Sequence, residues 1–300
     1  MNSQVNKKFI YVLSAIIILL FSSFTTDSNV VNSKFEGVQI GVITYSYRSM
    51  PGKTLDDVLQ YVVESGISSV ELMGEPVEEY AGIPKGKSRE AVREWRENVS
   101  MDKFKEVKDK FDKEGVKINI LKLGDHSWSD AEIDYVFNAC KTLGAKGITL
   151  EISENAAKKL APFAEKHNLY VILHNHGQPG DPNFSFEKHL EYGPNLMLNL
   201  DVGHYFGATG KDPKLLIEKL HDRIVSIHIK DKTGPNASKP NTNMPFGEGE
   251  TGVDEILQFI RDKNWDIACD IELEYEIPEG SNAVKEVSKC LDYCRTALMR

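Results

Sequence analysis

Seven short apolar runs in this sequence end in groups able to hold a metal or move a proton. Glu71 ends one, and Asp125 and His126 follow the next. Glu151 ends a third. His174 and His176 end a fourth, in the string LYVILHNHG. Asp201 and His204 close the fifth. His228, Lys230 and Asp231 close the sixth, and Glu272 and Glu274 the last. Residues two apart on a strand share a face, so His174 and His176 lean the same way. Carboxylates and imidazoles converging on one spot suit one divalent ion, and mixed oxygen and nitrogen donors fit Mn2+, Zn2+, Co2+ or Mg2+ alike. Such a site favours removal of a proton beside a carbonyl, with a His or Glu as the base. A single residue of this kind at a strand end is more often solvated or bonded to a neighbour. The alternate glutamates of IELEYE read equally as one wet face of a strand. So many ends of this kind together are harder to explain without a shared ligand.

The elements that must position these residues follow from hydrophobic spacing. VQIGVITYSY (Val38 to Tyr47) reads as a strand, and TLDDVLQYVVESG as a helix ending at Gly66. The same alternation continues to the C-terminus. SSVELMG is followed by a charged stretch, Lys87 to Glu114, that reads as a loop and then a helix. VKINILKLG, AKGITLEIS, LYVILHNHG, LMLNLDVGHY, IVSIHIKDKT and DIACDIELEYE each precede a helical run. Eight strand–helix units in one chain predict an α/β fold, a (β/α)8 TIM barrel, with its active site at the C-terminal strand ends. The runner-up, an open doubly wound sheet, would carry a glycine-rich phosphate loop after its first strand, and that loop is missing here.

The chain has 300 residues, 41% of them hydrophobic, with a net charge of −9. An acidic chain without a basic face is a poor partner for nucleic acid. The N-terminus MNSQVNKKFIYVLSAIIILLFSSFTTDS pairs Lys7 and Lys8 with an apolar core from Phe9 to Phe21. That is the pattern of a secretory signal peptide, assigned to residues 1–26. A single barrel domain then spans 27–300. The apolar core is shorter than the roughly 20 residues of a spanning helix, so no stable membrane span is expected after cleavage. The expected location is outside the cytoplasm, in the periplasm. Cys140, Cys269, Cys290 and Cys294 have neither redox nor zinc-finger spacing and read as structural. A homodimer is the assembly left open.

LDVGHYFGATG, IVSIHIKDKT, PFGEGETGVDEIL and DIELEYE, in this order and spacing, resemble the xylose isomerase-like barrel family of sugar phosphate isomerases and epimerases. The resemblance covers the whole mature chain. It implies a metal held by two acids, an aspartate and a histidine at the strand ends. Carried over, these are Asp201, His228 and Glu272, with Glu274 as the fallback for the last. His204 would touch substrate or a further metal, and Phe246 to Gly249 would form the loop that closes near it. One position departs from the pattern. The ketose 3-epimerases carry a glutamate at the end of strand five, where this chain has His174. The departure places the chain nearer the inosose dehydratase-like branch. Glu151 is then expected to supply the missing acid, with His174 or His176 as the alternative ligand.

The expected function is a metal-dependent sugar isomerase or epimerase, with His174, His176 and Glu272 catalytic. His204, Lys230 and His126 would bind substrate. Glu151, Asp201, His228 and Glu272 would hold the metal. A dehydratase or lyase acting on a keto-sugar or 3-keto-glycoside is the alternative. A non-catalytic periplasmic carbohydrate-binding protein is the alternative of another class. A three-zinc repair endonuclease of the same fold needs further histidines at strands two and three, and strand two ends in Glu71.

Overall fold

Runs of apolar and β-branched residues form eight parallel strands: β1 (Val38–Ile43), β2 (Ser69–Met73), β3 (Lys117–Lys122), β4 (Gly147–Glu151), β5 (Tyr170–His174), β6 (Leu196–Asp201), β7 (Ile224–Ile229) and β8 (Ala268–Ile271). Each pairs with the next in chain order, and β8 pairs with β1, so the sheet closes on itself. This computed structural model describes residues 31–300. The leader expected at residues 1–26 lies outside the described residues. Among those described, no helix is long and apolar enough to cross a membrane. The eight-stranded (β/α)8 barrel is the architecture the alternation predicted.

The strands are buried along nearly their whole length because helices cover the outside and side chains fill the inside. The main core lies between strands and helices. Ile120, Ile172 and Met197 stand two residues before Lys122, His174 and Asn199, on the same strand faces. With Val225 they form a separate apolar cluster that fills the barrel beneath its mouth. All four cysteines are free and buried.

Three local differences from the sequence reading have physical causes. The charged stretch after β2 is two helices, Arg89–Asn98 and Asp102–Lys113. Ser88 accepts from Ala91 N to start the first, and the Ser100 hydroxyl accepts from Asp102 N to restart the second. A further helix, Gly74–Ala81, follows β2 directly. β6 stops at Asp201, whose side chain caps the helix Val202–Thr209 by accepting from His204 N at 2.7 Å. The ladder slips register at two places, between Val70 and Glu71 on β2 and between Leu198 and Asn199 on β6. Such irregularities re-aim side chains. Glu71 and Asn199, each just past a slip, meet inside the barrel.

Candidate active site

The string His174-Asn175-His176 shows how the mouth is built. Asn175 knits β5 to β6. Its Oδ1 accepts from Asp201 N at 3.0 Å, and its Nδ2 donates to Asp201 O at 3.2 Å. The flanking imidazoles are left on the mouth face, with ring centroids 4.9 Å apart.

His174, Asp201, His228 and Glu272 come together there, all buried, with one ligand atom from each within 4.8 Å of the others. Nδ1 of His174 is buried without a hydrogen-bond partner. Asp201 Oδ2 meets Lys230 Nζ at 2.9 Å, yet it too makes no hydrogen bond. Burying polar atoms unsatisfied is costly. Two imidazoles and two carboxylates, with one such atom on His174 and one on Asp201, fit a divalent ion.

The electrostatics differ from one member of the set to the next. His228 is wholly buried, which opposes its charge, but the carboxylates of Glu71 and Glu272 hold its pKa well above the ordinary value. Burial depresses the His174 pKa well below normal, and positive His228 and Lys122 act the same way. This leaves His174 a neutral imidazole, the form that ligates. Burial pushes the Asp201 carboxyl up to about 6 against the pull of Lys230. Burial would raise Glu272 as well, but His228 and Lys230 hold it well below the usual range. Lys230 lies 2.7 Å from both Glu272 Oε2 and Glu274 Oε2, and these carboxylates and Asp201 overcome burial and raise its pKa.

The other expected residues fall into three places. Glu151 stands apart from the four-residue cluster, half exposed. It forms a second group with His174 and His176, its Oε2 3.5 Å from His176 Nδ1 and its Oε1 3.2 Å from Lys122 Nζ. His204 Nε2 lies 3.7 Å from Glu274 Oε2, and its ring faces that of His176 at 4.9 Å. His126 lies beside Asp125 at 3.8 Å on the wall of a neighbouring cavity, away from the cluster. The loop from Phe246 is pinned by Asp231, whose Oδ2 accepts from Gly247 N and Gly249 N at 2.9 and 3.0 Å.

Three residues at the site carried no role in the sequence reading. Glu71 Oε2 lies 2.8 Å from His228 Nε2 and accepts from Asn199 Nδ2 at 2.6 Å. His228 Nδ1 meets Glu272 Oε2 at 2.9 Å. His228 is therefore gripped by a carboxylate on each side. Lys122 joins the β3 end to Glu151. The two-residue period of a strand places Asn199 with Asp201 and was the available signal for it. Glu71 stands at a strand end in the sequence, but nothing there says that it reaches across the barrel.

Residues 149–294 match the family described as xylose isomerase-like TIM barrel. No curated protein sequence matches the chain significantly. Solved structures share its fold at low identity. The probable 3-DHS dehydratase involved in petrobactin synthesis from Bacillus anthracis is 19% identical with a TM-score of 0.59, over 85% of this chain and 98% of the other. A sugar phosphate isomerase/epimerase from Parabacteroides distasonis is 16% identical with a TM-score of 0.60, over 88% and 96%. The 3-keto-D-glucoside 4-epimerase from E. coli is 13% identical with a TM-score of 0.61, over 86% and 99%. Residues 149–294 thus match the xylose isomerase-like TIM barrel family, and the described length of the chain shares the fold of these solved structures.

Proposed function

We propose that the protein is a divalent-metal-dependent enzyme that removes a proton beside the carbonyl of a sugar or keto-sugar and returns it, as an isomerase or epimerase. The observation that carries this reading is the buried set His174, Asp201, His228 and Glu272, with ligand atoms within 4.8 Å of one another at the barrel mouth. A bound ion supplies electrophilic polarisation of the substrate carbonyl, which acidifies the neighbouring C–H. The chain's own residues do the rest. Glu71 fixes the His228 ring by holding Nε2. The His176 Nδ1 faces Glu151, which leaves Nε2 as the nitrogen that takes and returns the proton. Lys230 holds the carboxylates of Asp201, Glu272 and Glu274 in place. His204 contacts substrate from the opposite wall.

The expected leader places this chemistry outside the cytoplasm, where a neutral sugar is the more available substrate; cell fractionation tests that location. A second reading, dehydratase or lyase action on a keto-sugar, is favoured by His174 standing where the epimerase branch has its glutamate. The first experiment is elemental analysis of the purified protein beside Asp201→Ala. About one divalent ion per parent chain, lost in the variant, supports the reading. No ion in either, after reconstitution with Mn2+ and Zn2+, moves a carbohydrate-binding protein to the front. Keto-sugars in D2O then separate the reactions. Isomerisation and epimerisation leave deuterium on carbon in a product of unchanged composition, whereas a lyase releases water or a leaving group.

A further inference from the structure

We infer that the cavity beside the metal-ligand cluster is a subsite for a second, uncharged sugar ring, so that the substrate is a glycoside. The inference rests on the mouth being a site of sugar chemistry. The cavity begins at Lys122 and Glu151, the residues that border the cluster, and runs out past the loops after β2 and β3 to Trp128. Its volume is about 650 Å3, within the range of roughly 300–1,000 Å3 common for small-molecule sites. A single ring held at the metal ligands would leave this space to water.

The lining has the two-sided character that a sugar ring needs. Met73, Leu123, Leu150 and Trp128 give apolar surface for C–H faces, while Glu75, Asp125, His126 and Ser153 offer acceptors and donors for hydroxyls. Trp128 is a prepared platform. The Arg96 guanidinium sits 3.8 Å from the centroid of its ring. Arg96 is itself held by Glu78 through two bonds of 2.8 and 3.0 Å and by Glu132 at 3.3 Å, and Tyr135 Oη donates to Glu78 at 3.0 Å. Ordering of the indole is therefore completed on folding and does not weigh against binding. A phosphate does not suit the same space. Glu75, Glu78, Asp125 and Glu151 line it, and Lys122 is already engaged by Glu151 at 3.2 Å. The field there repels anions.

The test is calorimetric titration of the metal-loaded protein with cellobiose, sophorose and trehalose, beside glucose and glucose 6-phosphate. At least one disaccharide should bind about tenfold or more tightly than both monosaccharides, a gain of one decade in Kd. Trp128→Ala should erase that margin. So should Glu75→Trp, which fills the cavity from an exposed helix position and does not depend on the core. Glucose affinity should stay within about twofold in both. The margin should persist in Asp201→Ala, so that failure of the metal reading and failure of the subsite are told apart. The inference is overturned if no disaccharide exceeds glucose, if glucose 6-phosphate binds best, or if the margin survives both cavity variants.

Discussion

His228 has a carboxylate at each ring nitrogen, and one of them must yield if the imidazole is to ligate. Nδ1 faces Glu272 at 2.9 Å and Asp201 at 4.0 Å, so it is the nitrogen turned toward the other ligands. Nε2 is held by Glu71 at 2.8 Å. With an ion at Nδ1, as proposed above, Glu71 would take the part that carboxylates take behind metal-bound histidines, fixing the tautomer and the angle of the ring. Glu71→Gln keeps the shape but loses the charge. It should weaken divalent-ion affinity by about 10–100-fold, read by competition with a chromophoric chelator. Unchanged affinity in a folded variant would show that Glu71 only neutralises a buried charge. Glu71 and Asn199 also explain where legibility ended at this scale. A charged residue at a strand end is visible in a string of letters, whereas a partner across the barrel depends on how the closed sheet sets its strands against one another, which no local pattern announces.

Elements decide whether those residues meet. The helix Val202–Thr209 is short, yet it turns Asp201 into a cap and brings His204 over the mouth. It passes so close to Lys230 that a Cβ at Gly203 would fall 2.2 Å from the Lys230 Cγ and 2.8 Å from its carbonyl oxygen. Gly203→Ala should therefore push Lys230 away from Asp201, Glu272 and Glu274. Overpacking of this kind costs about 1–3 kcal/mol, measurable by urea unfolding. If Lys230 orients the ligands, ion affinity should fall with it. An alanine variant of parental stability and affinity would mean that the helix simply shifts. The alternation of strands and helices made the barrel legible, because burial on both faces forces apolar strands and short caps. The helix after β6 was hidden for the opposite reason. DVGHY continues an apolar run, and only the Asp201 side chain, by bonding to His204 N, ends the strand there. Likewise the break at Val99–Met101 depends on a single serine bond inside a stretch that is charged throughout.

At the scale of the molecule, the acid stability of the barrel sums contributions of opposite sign. Burial raises the Asp201 and Asp270 carboxyls to about 6, so each favours folding below the unfolded carboxylate pKa and loses that contribution as pH rises to 6. Glu132 works the other way. Burial would raise its pKa, but Arg89 and Arg96 outweigh that and lower it to about 2. Its side chain is fully buried where the helices Arg89–Asn98 and Asp130–Leu143 meet, with Arg89 Nη2 donating at 3.0 Å and Arg96 Nη1 at 3.3 Å. A depressed carboxyl contributes stability above its unfolded pKa and loses it as pH falls toward the folded value. The drop from 4.5 to about 2 corresponds to roughly 3 kcal/mol. The total curve mixes both signs, so the difference between parent and Glu132→Gln is the quantity to read. In urea unfolding of the metal-free protein, the variant should be less stable by roughly that amount from pH 7 down to about 5, and the gap should narrow through pH 4 and 3. The same variant removes one support of Arg96, and through it of Trp128, so tryptophan fluorescence should shift at pH 7. A gap that stays constant with pH would mean that the loss is one of packing and that the two arginines leave the carboxylate's ionisation unchanged.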